Sequence, residues 1–142
     1  MNKTTKIIGL TILLSLIALA AACGGAATGS DMKEITTKKV NDKLTVTLSS
    51  ADGKLKSGQQ EIMLAFTDGS GKPVDINAAT LNFNMPAMGS MAEMNNAAQL
   101  TTTGTPGQFK GKLNVEMAGD WTAQISYDGA DKGSTTISTK AQ

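Results

Sequence analysis

Apolar and polar residues alternate at period two along much of this 142-residue chain, the mark of strands with one face buried. Leu44, Val46 and Leu48 alternate with Thr45 and Thr47, and Asp52-Gly53 signals a turn. Ile62, Leu64 and Phe66 alternate with Met63, Ala65 and Thr67 before the turn-rich Asp68-Gly69-Ser70-Gly71-Lys72-Pro73. Leu81, Phe83 and Met85 alternate with Asn82 and Asn84. A strand over residues 98–103 runs into Gly104-Thr105-Pro106-Gly107. Phe109, Gly111, Leu113, Val115 and Met117 then share a face opposite Lys110, Lys112, Asn114 and Glu116. Trp121, Ala123, Ile125 and Tyr127 form the next strand, and residues 134–139 a last, Thr-rich one at an edge. About seven short strands separated by Gly/Pro/Asp turns predict an all-β antiparallel sandwich of immunoglobulin type, with a small closed barrel as the second architecture. Only residues 85–98 resist a strand reading.

The amino-terminal segment follows a different rule. Lys3 and Lys6 precede a mostly apolar run, residues 7–22, interrupted by Gly9, Thr11 and Ser15. Basic, then apolar, then small is the layout of a secretory signal, and the run falls short of the roughly 20 residues a membrane span needs. Leu19-Ala20-Ala21-Ala22-Cys23 resembles a lipobox, which predicts cleavage before Cys23 and lipid on its sulfur. The alternative is ordinary signal cleavage that leaves a stray thiol, a liability in an oxidising compartment. One acyl chain anchors weakly at about 0.8 kcal/mol per buried methylene, and the two or three that lipoproteins carry anchor firmly. The expectation is a signal peptide over residues 1–22, a lipidated Cys23 and flexible tether over 23–33, and one folded domain over 34–142. The chain would then be extracytoplasmic and bound to the cell membrane or an outer membrane, with Gly24 after the cysteine favouring outward sorting.

Composition excludes much chemistry. The chain has no His and no Arg, and its one Cys is the lipidation candidate. Losing Lys3 and Lys6 with the signal leaves eleven basic and twelve acidic side chains, a net charge of −1. There is no basic footprint for nucleic acid, no His/Cys zinc or haem site, and no Ser-His-Asp or Cys-His catalysis. Ser30 and Lys33 form a Ser-x-x-Lys, but it falls in the tether. Asp68, Asp75 and Asp120 sit in turn-like surroundings and read as turn residues. A non-enzymatic protein is expected.

The remaining chemistry is thioether. Met85, Met88, Met91 and Met94 recur at every third position, with Pro86 and Gly89 between them, which suggests an irregular loop or one loose helical turn. Soft, neutral sulfur selects Cu(I), or Ag(I), over Zn(II) and Cu(II). Met88, Met91 and Met94 are the leading donors, with Met85 and Met117 as further ones. Met85 and Met117 also continue inward-facing alternations and so double as core residues. Trp121 is expected in the core, with its ring face available to a nearby cation. Two other readings use the same loop: an adaptable apolar surface docking a membrane or transport complex, or an oxidant sink in which Met88, Met91 and Met94 form sulfoxides before Met63.

Met85-Pro86 with Met88, Lys72-Pro73-Val74, Pro106-Gly107-Gln108-Phe109-Lys110-Gly111, and Met117-Ala118-Gly119-Asp120-Trp121 together resemble the YtkA-like domain over roughly residues 43–138. The resemblance implies a small immunoglobulin-like sandwich, exported or membrane-tethered, often found beside heavy-metal efflux or copper-handling proteins. It implies a Met-Pro-x-Met core at Met85, Pro86 and Met88; Met91 and Met94 extend that core in this chain. A metal-efflux or copper-assembly protein is the expected partner, besides the membrane reached through Cys23.

Overall fold

The computed structural model describes residues 31–142, so the signal, Cys23 and most of the tether lie outside the described residues. Nine strands follow one another: β1 (Lys33–Asn41), β2 (Leu44–Ser50), β3 (Gly58–Thr67), β4 (Ile76–Met85), β5 (Met94–Ala97), β6 (Gln99–Thr102), β7 (Gln108–Val115), β8 (Gly119–Gly129) and β9 (Lys132–Ala141). They form two antiparallel sheets in the orders β1-β2-β3-β7-β6 and β5-β4-β8-β9. With β1 set aside, this is the A-B-E-D against C′-C-F-G order of immunoglobulin-like sandwiches, and not a closed barrel.

The inward-facing positions of the alternating segments are the buried ones. Val46 and Leu48 on β2, Ile62, Leu64 and Phe66 on β3, and Leu81, Phe83 and Met85 on β4 are all at most 2% exposed. Trp121, Ala123, Ile125 and Tyr127 on β8 face them from the same core. Each large apolar side chain so buried contributes about 1.5–3 kcal/mol. Phe66 meets Phe109 edge-on at 6.1 Å and 88°, and lies tilted against Tyr127 at 5.6 Å.

Two strands exceed the seven read from the sequence, and both lack its signal. In β1, Ile35 and Val40 are the only large apolar residues, so no alternation shows. It pairs with β2 from Lys33↔Ser50 to Asn41↔Leu44, which ends the tether one residue earlier than expected. β5 reads Met-Asn-Asn-Ala and pairs with β4, so residues 85–98 are not all irregular. The chain then passes to the other sheet, with Ala98 N–H donating to Leu81 O (2.9 Å). Residues 134–139 fall on β9, an edge strand as expected.

One end of the sandwich gathers the first residue of β1, the β2–β3 and β7–β8 connections, the end of β4 and the carboxyl terminus. Gln142 N–H donates to Leu55 O (2.9 Å), and Ser57 N–H donates to Gln142 O (3.0 Å). The opposite end holds the Asp68 turn. There Asp68 Oδ1 accepts from Ser70 Oγ (2.6 Å), Ser70 N–H (2.8 Å) and Lys72 N–H (3.0 Å). The Ser70 hydroxyl first, then these amides, hold its carboxyl below the ordinary value. This contribution is complete above the usual carboxylate range and fades as pH falls through the lowered pKa. Asp120, by contrast, lies within β8 opposite Lys140 of β9 and is no turn residue. Along the side where β1 and β9 are the free edges, Lys38 Nζ donates to Thr136 O (2.6 Å).

Gly107 takes φ 67°, its carbonyl accepts from Phe66 N–H (2.8 Å), and a Cβ there would lie 2.0 Å from Val74 O. Gly107→Ala should therefore cost about 3 kcal/mol or more, from left-handed strain plus a backbone clash. That lowers the thermal midpoint by more than about 10 °C. Gly104→Ala, at φ 86° with open space around it, should cost only about 1–2 kcal/mol. Equal shifts for the two in calorimetry would contradict this account.

Candidate metal centre

The methionines spaced by three form two rungs of one hairpin. Met88 N–H donates to Met91 O (3.1 Å) and Met91 N–H to Met88 O (2.9 Å), so the pair closes a two-residue turn at Gly89-Ser90. Gly89 takes φ 58°, the positive value that two-residue hairpin turns require. Residues directly opposed across such a pair project to the same side, with Cβ atoms about 4.5–5.5 Å apart. The thioethers of Met88 and Met91 are thus within reach of one ion, and they are exposed to 53% and 39%. Below them Met85 pairs with Met94.

The lower rung belongs to the body of the protein. Met85 is buried, while Met94 and Met117 are partly buried against the core. A Cβ on residue 119 would lie 2.7 Å from Met85 Cε; Gly119 leaves that space to the methionine. Trp121 is 1% exposed, and its indole N–H donates to Met117 O (3.0 Å), which pins the β7–β8 turn to the core. The Met-Pro-x-Met and Met-Ala-Gly-Asp-Trp segments therefore meet at one end of the sandwich. Trp121 is a core residue held by that bond.

The sequence reading brought Met88, Met91 and Met94 together. The structure pairs Met88 with Met91 and places Met94 on β5 beside Met85, a strand register where an irregular loop or one loose helical turn was expected. Register numbers explain the outcome, since the four methionines are symmetric about Gly89-Ser90, and that symmetry was the readable signal of a hairpin.

A polar ladder that sequence reasoning missed secures the hairpin stem on the outer face of its sheet. Asn84 Nδ2 donates to Glu93 Oε1 and to Asn95 Oδ1 (3.0 Å). Asn82 Nδ2 donates to Asn95 Oδ1 and Gln124 Oε1, both at 3.2 Å. Its signal was present in the Asn residues that alternate with Leu81, Phe83 and Met85. Among the described residues no three His, Cys, Asp or Glu side chains gather as a metal site. A groove of about 430 Å³ on the outer face of the other sheet is lined by Gln59, Glu61, Gln99 and Lys112 among others, and by no methionine.

These features define a small immunoglobulin-like sandwich bearing a methionine hairpin at one end. Residues 38–126 match the YtkA-like family, and the chain belongs to it. Among solved structures, the crystal structure of PcoC, a methionine-rich copper resistance protein from Escherichia coli, is similar at 17% identity and a TM-score of 0.40. That similarity covers 63% of this chain and 97% of PcoC. No curated protein sequence matches the chain.

Asn84→Ala removes both of its ladder bonds while leaving the core intact. Amide exchange at Met88 and Met91 should quicken by about tenfold, with global stability falling by less than about 1 kcal/mol. Unchanged protection at these two amides would show that the ladder does not hold the hairpin.

Proposed function

We propose that the chain is a non-enzymatic, lipid-anchored extracytoplasmic protein that binds Cu(I) or Ag(I) through its methionine hairpin, buffering the ion or passing it to an efflux or assembly protein. The observation that carries this reading is the cross-strand Met88/Met91 pair, exposed at the hairpin tip of a chain with no His. Two neutral thioethers presented on one side suit a soft monovalent ion and offer little to Zn(II) or Cu(II). Met94, partly buried against the core three residues further down the same arm, is the third candidate donor. Met85 and Met117 serve chiefly as the packed base that aims the hairpin. Anchoring rests on the basic-apolar-small order of residues 1–22 and on Cys23 standing at the cleavage point.

A second reading has support in the same exposure. Two large apolar side chains held out on a hairpin also make a docking surface for a protein partner. Metal affinity separates the two.

A Cu(I) competition titration of residues 31–142 against a chromophoric chelator should show one equivalent held and Zn(II) ignored. Met88→Leu combined with Met91→Leu should weaken binding at least tenfold, about 1.4 kcal/mol, at a stability cost under about 1.5 kcal/mol. Affinity should be flat between about pH 5 and pH 8, because thioethers carry no titrating proton. Absent competition, or affinity untouched by the double variant, would reject the site in favour of the docking surface.

A further inference from the structure

The hairpin leaves the sandwich at the end where the described chain enters it. Lys33 begins β1 opposite Ser50, and Leu55, just beyond β2, bridges to Ala141. Ala141 pairs with Gly119 at the start of β8, and Gly119 faces Met85 at the end of β4. The first residue of the sandwich and the root of the methionine hairpin therefore share one end.

Chain length turns this into an orientation. From Cys23 to Lys33 there are ten residue steps, at most about 35 Å when fully extended. The eleven residues of β8 span about the same distance at the rise of a strand. A hairpin directed away from the anchor would require residues 24–32 to run back along the whole sandwich with nothing to spare. A hairpin directed at the membrane imposes no such demand. The segment from Pro86 to Glu93 carries no lysine and one carboxylate, Glu93, so it lacks the basic residues that draw a segment onto anionic lipid.

We propose that the methionine hairpin faces the membrane holding Cys23, and that its partner is an integral protein of that membrane presenting thiolate or thioether donors at the surface. This rests on the lipid-anchored, metal-binding reading above. The orientation is tested with the mature lipoprotein carrying a fluorophore at Ser90→Cys or, at the opposite end, at Asp131→Cys, in phosphatidylglycerol vesicles doped with a nitroxide-headgroup lipid. Stronger quenching at position 90 is expected; equal or stronger quenching at position 131 would overturn the proposal. A chain that leaves the vesicles and lacks acyl mass on Cys23 overturns it by removing the anchor, and does so whether or not copper binds.

The partner is tested by inserting twenty Gly/Ser residues after Ser30 and following Cu(I) loss from the loaded protein into native membranes. Roughly tripling the connecting chain should slow transfer to a membrane-embedded acceptor about fivefold, because local concentration falls near the −3/2 power of length. An unchanged rate would rule out an acceptor in that membrane. Absence of Cu(I) binding in the titration, with position 90 still the more quenched, would instead remove the metal reading and leave the orientation standing.

Discussion

The fit of Met85 over Gly119 is the contact on which the working end of the molecule depends. Met85 closes β4 and Gly119 opens β8, and the methionine methyl lies close to where a side chain on residue 119 would begin. Two central strands of one sheet are thereby locked at their ends, with Trp121 one turn of the pleat further in. Because Met94 pairs with Met85 across the hairpin, the same contact sets where β5 starts and where the tip points. Side-chain packing in the core and presentation of thioethers to solvent are thus the base and the tip of one hairpin. Filling the space over residue 119 would disturb both.

How much was legible in the sequence follows from what each strand asks of its residues. Strands buried on one face, such as Leu81 to Met85 or Trp121 to Tyr127, must alternate, and alternation is what sequence reading detects. β1 and β5 are edge strands held by backbone bonds to a single neighbour, so their side chains have no such obligation. Ile35 and Val40 on β1, and the Met-Asn-Asn-Ala of β5, leave no period to read. The chemistry of the candidate site, soft sulfur without imidazole, was fully visible in composition. Its geometry was not. The three-residue spacing, broken by Pro86 and Gly89, suggested an irregular loop or one loose helical turn, whereas here it arises from mirror placement about Gly89-Ser90. Asp120 shows the same limit on a smaller scale, since a Gly-Asp pair served as a strand start and not as a turn.

The division of labour among the methionines follows from exposure. A buried thioether is an apolar filler, soft enough to adapt to an irregular gap, and Met85 is used that way. An exposed one gains little from packing and costs solvation, so two of them set opposite each other at a hairpin tip call for another explanation. Their placement comes from a backbone bridge and, lower down, from amide side chains bonded in series across three strands. None of that bonding uses the sulfur lone pairs, which stay free.

The Lys38 bond to the Thr136 carbonyl has a meaning beyond the single molecule. Free sheet edges invite pairing with other chains, and this sandwich leaves β1 and β9 as edges on the same flank. A lysine laid across that flank occupies a carbonyl on one edge from the other and puts a charge where a neighbouring strand would approach. The lysine strap is then a safeguard of colloidal behaviour, keeping neighbouring copies from joining edge to edge.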